Sequence, residues 1–251
     1  LDKHQPDPVA GFFGPDSELW RVIGDGAAML FAPRAVMLQL AHPQISAAGV
    51  SSSNVTEQFV PRAIRTFRSS QSMIYGDTAS VEAHARRVYA IHTRVRGTVA
   101  EREPAAFAGK SYHGLDHGLL RWVLATIIES HLYAQEVVFP SRGPAAQAQL
   151  YEELCIFGEL FALPRSAMPD DLAGFRSFFA EELSRMTVGP AGFELGQFLQ
   201  NWVPRPRLPA EIWVVGILPD RFRQEFGSPW SRPRAAAFDA MVRALRIGVR
   251  A

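Results

Sequence analysis

One histidine occupies an inward position in a long amphipathic pattern of the chain. Residues 78–102 are predicted to form one helix, with apolar positions spaced by four, three, seven and four residues at Val81, Ala85, Val88, Val95 and Val99. His92 fills the seven-residue gap, at the step where the pattern expects an apolar side chain. A buried neutral imidazole needs partners for its ring nitrogens. His92 is therefore either a core histidine bonded to a backbone carbonyl or a metal ligand.

Other groupings of reactive residues have the wrong spacing for familiar sites. A di-iron carboxylate bundle needs Glu-x-x-His repeats, whereas Glu82 and Glu129 each precede a histidine by only two positions. His113 and His117 have zinc-like spacing, but glycines interrupt that segment, and we interpret both as cap or loop residues. The single cysteine, Cys155, is expected to be a small buried hydrophobe. The chain has no nucleophile elbow and no phosphate-binding glycine loop.

The elements that must position these residues are predicted to be helices. Runs that alternate apolar and polar residues are short, and no hairpin dipeptide lies between two such runs. Residues 116–138 are apolar enough to form a central helix. Ser17 or Asp16 is expected to cap the first helix. His42, which precedes Pro43, is expected to bond to the end of the helix before it. Further helices are predicted at about 144–160, 170–186, 190–202, 209–218 and 233–247.

Composition and charge limit the classes of partner. Of the 251 residues, 47% are hydrophobic and 20% are charged, and the net charge is +1. The arginines are spread along the chain, so the sequence gives no electrostatic case for binding nucleic acid. It has no apolar run long enough for a transmembrane helix. We expect a cytoplasmic protein, although an upstream secretion signal could have been trimmed.

Several motifs occur in an order that carries more information than any one of them. They are Gly11-Phe-Phe-Gly-Pro-Asp-Ser17, Leu38-Gln-Leu-Ala-His-Pro43, Arg62-x-x-Arg-Thr66, Tyr75-Gly-Asp77 and His92-x-x-x-Arg-Gly97. In this order the chain resembles the family that contains the latex-clearing rubber oxygenases and the membrane-bound oxygenase of mycophenolic acid biosynthesis. The resemblance is strongest over residues 11–165.

That resemblance implies a haem b in an all-helical, globin-like core. His92 matches the proximal iron ligand, and Arg62 and Thr66 match the helix that flanks the distal face. Arg65 stands where the rubber oxygenases carry a lysine that can ligate iron. Because a guanidinium has no lone pair to donate, the sixth position is expected to be open, filled by water, or covered by an arginine. No glutamate matches the general base of rubber cleavage.

These features together predict a single all-α domain over residues 1–251, with a core at 11–165 and C-terminal helices at 166–251. The predicted activity is a haem-dependent oxygenase that uses dioxygen on a small apolar substrate. Arg96 is predicted to lie one turn after His92 on nearly the same side, where it either contacts a haem propionate or a distal-side carboxylate or belongs to a solvated face. Trp122, with Ile64 and Phe67, is predicted to form an apolar wall of the site. The alternative is a haem-binding or haem-free helical protein that binds a ligand without oxygenase activity.

Overall fold

The computed structural model describes residues 6–51, 59–140, 142–202 and 207–250, and these are predominantly helical. The α-helices are α1 (Glu18–Gly24), α2 (Ala32–Leu40), α3 (Pro43–Ser51), α4 (Phe59–Tyr75), α5 (Thr78–His92), α6 (His117–Val137), α7 (Gly143–Glu159), α8 (Leu172–Arg185), α9 (Pro190–Trp202), α10 (Arg207–Gly216), α11 (Asp220–Glu225) and α12 (Arg232–Arg250). Two 3₁₀ helices, Gly26–Phe31 and Arg165–Ala167, lie between them. The all-α prediction is confirmed.

Helix α6 is the central element, as its apolar sequence predicts. The Asp116 carboxylate caps its first turn by accepting the backbone N–H groups of Gly118 and Leu119. Side chains on several faces of α6 are buried, because α2, α7 and the first 3₁₀ helix all pack against it. A buried ion pair fixes α2 to α6, since Arg34 donates to both carboxylate oxygens of Glu129. The same guanidinium lies 4.1 Å from the centroid of the Tyr133 ring.

Helix α5 ends at His92, so the predicted helix over 78–102 is wrong beyond that residue. Strand β1 (Arg96–Thr98) follows and pairs antiparallel with β2 (Ser111–His113), with Gly97 opposite Tyr112. The segment after His92 is rich in β-branched residues, which favour an extended chain, and it contains a glycine, which weakens a helix. Gly97 is also required by packing, since a Cβ there would collide with the Tyr112 ring. Val95 and Val99 therefore lie outside the helix.

The remaining helices match the sequence prediction closely. Ser17 caps α1 through its hydroxyl, which accepts the backbone N–H of Trp20. The Glu153 carboxylate of α7 accepts hydrogen bonds from the Ser17 hydroxyl and the Leu19 N–H, and so joins α1 to α7. The five predicted C-terminal helices correspond to α7, α8, α9, α10 and α12. The short helix α11 was not predicted. Within the described ranges, no helix has the length and apolar character needed to cross a membrane.

His42 lies between α2 and α3 and hydrogen-bonds to both helices. Its backbone N–H donates to the Gln39 carbonyl at the end of α2, as the predicted bond to the preceding helix requires. Its side chain instead serves α3, because Nδ1 accepts the backbone N–H of Gln44 in the first turn of that helix at 3.3 Å. Its backbone carbonyl accepts the N–H groups of Ile45 and Ser46.

Candidate functional site

A cavity of about 620 Å³ lies among the helices that surround α6. Most of its wall is aliphatic or aromatic and comes from α1, the first 3₁₀ helix, α2, α4, α6, α7 and α9. Its size and apolar lining are typical of sites that enclose a small molecule or a cofactor. The polar side chains on its wall are few, and they are Gln39, Arg62, Thr66, Ser70, Gln71, His92, Ser130 and His131.

His92 lies on the wall of this cavity, at the C-terminal end of α5. Its ring is half-buried and tilted against Phe161, with the ring centroids 6.4 Å apart. Its Nδ1 is buried, and no described residue hydrogen-bonds to it. Burial lowers the pKa of His92 and so favours the neutral imidazole. One alternative from the sequence was a core histidine bonded to a backbone carbonyl. The structure shows no such bond at Nδ1 of His92.

Helix α4 presents Arg62 and Thr66 to the same cavity. These residues are four positions apart and therefore lie on one face of the helix. All three residues of the motif are exposed, but Arg65 is not part of the wall. Successive residues turn by about 100°, which places Arg65 roughly opposite Ser70, a residue near the middle of the lining face. Arg62 and Thr66 therefore line the cavity, and Arg65 does not.

Two further predicted site residues lie away from the cavity. Arg96 is exposed on β1, because α5 ends before it, so the one-turn spacing from His92 does not apply. Trp122 is buried in the core, where its indole stacks on Phe179 at 5.6 Å and its Nε1 donates to the Leu38 carbonyl. Of the three residues predicted to form an apolar wall, Phe67 lines the cavity. Trp122 and Ile64 do not.

His131 is a cavity residue that the sequence analysis missed. It lies on α6 and continues the cavity-lining face of that helix, four positions after Ile127. The signal was present in the sequence, because His131 falls in an apolar helical pattern in the same way as His92. The apolar pattern of the central helix includes His131, and its spacing from Glu129 excludes a di-iron motif, but neither feature predicts a cavity there.

The other reactive side chains have structural roles in the described residues. Cys155 is buried in α7, and burial raises the pKa of its thiol to about 11, which makes it a poor nucleophile. His113 is exposed on β2, and its Nδ1 accepts the N–H of Leu115. No cluster of three or more His, Cys, Asp or Glu side chains suited to a metal ion occurs in the part of the chain described.

Comparison with known proteins gives one match, and it covers most of the chain. Residues 20–247 match the family described as "ER-bound oxygenase mpaB/B'/Rubber oxygenase, catalytic domain". Neither the curated proteins nor the solved structures give a match. All the polar residues of the cavity wall fall within the matched range. The chain therefore belongs to the mpaB/rubber oxygenase catalytic-domain family, a family of oxygenases.

Proposed function

We propose that this oxygenase holds a haem b through His92 and acts with dioxygen on a small apolar substrate inside the cavity. The observation that supports the proposal is a half-buried imidazole on the wall of a largely apolar cavity of about 620 Å³, with no hydrogen-bond partner at Nδ1 among the described residues. A neutral imidazole is a common ligand of haem iron. The cavity is also within the size range of cofactor sites.

The residues around His92 suit a planar apolar group. The ring of Phe161 lies beside the imidazole, and Phe157 packs against Phe161 with centroids 4.9 Å apart. Phe157, Phe161 and Leu163 all line the cavity. These side chains would shield the macrocycle from water. Bound haem would supply the activation of dioxygen, which no side chain of the protein can perform.

Arg62 and Thr66 of α4 would contribute hydrogen bonds within the cavity. A guanidinium can only donate, and the hydroxyl can donate as well as accept. Both groups would donate to an oxygen atom that gains negative charge during the reaction. The apolar residues on α6, α7 and α9 would then orient the substrate.

The test is haem content in a matched pair of histidine variants, with haem supplied during expression. His92→Ala should lose stoichiometric haem, measured by the Soret band, while circular dichroism shows that its helices remain. His84→Ala is the control, because His84 lies on the same helix but donates to the Ser80 carbonyl and does not line the cavity. It should retain the haem.

Two results would contradict the proposal. One is a wild-type protein that shows no Soret band despite haem supply, which would favour a haem-free protein on the same scaffold. The other is a His92→Ala variant that keeps an unchanged haem spectrum, which would mean that another residue ligates the iron.

A further inference from the structure

The cavity has a second imidazole, His131, whose position on α6 needs its own explanation. The wall around it is largely apolar, and α6 is fixed at this level by the ion pair of the neighbouring Glu129 with Arg34. A polar group on such a wall is costly unless a partner satisfies it. The partner must come from within the protein or from what the cavity binds.

The hydrogen bonds of His131 determine which nitrogen is available. Its Nδ1 lies 2.8 Å from the carbonyl oxygen of Ile127. Because a carbonyl can only accept, Nδ1 carries the proton of the ring. Burial lowers the pKa of His131 and keeps the ring neutral, so Nε2 holds a lone pair. No described residue donates a hydrogen bond to that atom.

His131 and His92 lie in different parts of the cavity. His92 packs against Phe161, which follows the end of α7. Near that end, the backbone of Gly158 lies against the side chain of Leu124 on α6. His131 is seven residues beyond Leu124, which is about 10 Å along the helix. The backbone of His92 lies against Gly114, which precedes α6, so His92 is near the start of that helix and His131 is well along it.

The surroundings of His131 favour a substrate group rather than a cofactor group. At this end α6 packs on the first 3₁₀ helix, where Ala28, Met29 and Phe31 line the cavity. The Phe31 ring also contacts Tyr133, with centroids 5.9 Å apart. An acceptor in such an apolar wall discriminates strongly, because a ligand without a donor leaves the acceptor desolvated and unpaired.

We propose that Nε2 of His131 accepts a hydrogen bond from a hydroxyl at the end of an apolar substrate, so that the cavity selects an aliphatic alcohol over the same molecule without the donor. The proposal takes the cavity as the substrate site and so rests on the function proposed above. It assigns to His131 a role in substrate specificity, and it names the substrate class as apolar molecules with one terminal hydroxyl.

The test compares two probes, n-decanol and decyl methyl ether, whose chains match and of which only the alcohol donates a hydrogen bond. Affinities for the purified protein, with haem supplied during expression, are measured by displacement of a fluorescent apolar dye. For each protein we take the ratio of its affinity for the alcohol to its affinity for the ether. Comparing this ratio between a variant and the wild type cancels the different water solubility of the two probes. His131→Leu and His131→Phe should lower the ratio by about five- to tenfold.

Two further variants control the experiment. His131→Gln keeps an oxygen acceptor on a similar side chain, so it should retain much of the preference for the alcohol. His84→Leu removes a histidine with the same Nδ1 bond to the carbonyl four residues earlier, but outside the cavity. Its ratio should equal that of the wild type. Circular dichroism checks that each variant is folded.

The proposal is overturned if folded His131→Leu or His131→Phe keeps the wild-type ratio. It is also overturned if these variants lose the haem spectrum while His92 is intact, because His131 would then serve the iron. The function proposed above can fail separately. A protein without a Soret band whose ratio still falls in His131→Leu would refute the haem and support the role of His131.

Discussion

The cap formed by His42 predicts a specific dependence of stability on pH. The imidazole is only 9% exposed and packs edge-on against Phe107, with the ring centroids 5.4 Å apart. Protonation would remove the lone pair that accepts the Gln44 N–H, and it would place a positive charge at the N-terminus of α3. Burial is the main cause that lowers the pKa of His42 to about 4, and the nearby Asp116 opposes it only in part.

The sign of the effect follows from which state binds the proton. An unfolded histidine has a pKa near 6.5, whereas the folded value is about 4. Below pH 6.5 the unfolded state therefore binds more protons, and stability falls as the pH falls toward the folded pKa. The loss from this residue is about 2 kcal/mol between about pH 7 and about pH 5, and about 3 kcal/mol once the pH is below both values.

Urea unfolding followed by circular dichroism at these two pH values measures the effect. His42→Gln supplies an amide oxygen that can accept the same backbone N–H but does not titrate. The difference in unfolding free energy between the two pH values should therefore be about 2 kcal/mol smaller in His42→Gln than in wild type. His113→Gln is the matched control, because His113 accepts the Leu115 N–H in the same way at an exposed position. Equal pH dependence in wild type and His42→Gln would refute the reasoning.

Two shorter predictions concern packing and the placement of α4. Gly192→Ala should lower the free energy of unfolding in urea by about 1–3 kcal/mol, because its Cβ would collide with the backbone carbonyl of Leu40. Gly248→Ala, which has open space around it, should cost nothing, and an equal loss in both variants would contradict this account. Arg65→Lys should leave the visible spectrum of the haem-loaded protein unchanged, because position 65 faces solvent. A shift to a six-coordinate low-spin spectrum would show that the lysine reaches the iron.

The sequence predicted the helices well where their limits depend on local signals. The cap at Ser17 acts within one turn, so residue type and spacing are sufficient to locate it. The end of α5 was missed because Val95 and Val99 continue the helical period by coincidence. Their extended conformation depends on pairing with β2 and on the close approach of Tyr112 to Gly97. Such contacts join residues about fifteen positions apart, and no local pattern contains them.

The site was only partly predictable, for a different physical reason. Periodicity shows which side of a helix faces inward, but inward residues meet either another side chain or a cavity. Trp122 and Leu124 are both buried on α6, yet Phe179 covers the first and the cavity borders the second. Which of these happens depends on how completely the neighbouring helices fill the space. The position of His131 in an apolar pattern was visible, whereas the cavity beside it was not.

The two walls of the cavity differ in how firmly the fold holds them. His131 lies on α6, which is packed on several sides and fixed by the buried pair of Arg34 and Glu129. The wall that carries Arg62 is formed by α4, whose residues 61–68 are exposed, and α5 buries only Val81. Elements with few buried contacts open at lower free energy than the core. Access to the cavity should therefore depend on the α4–α5 wall, while α6 keeps the specificity residue in a fixed position.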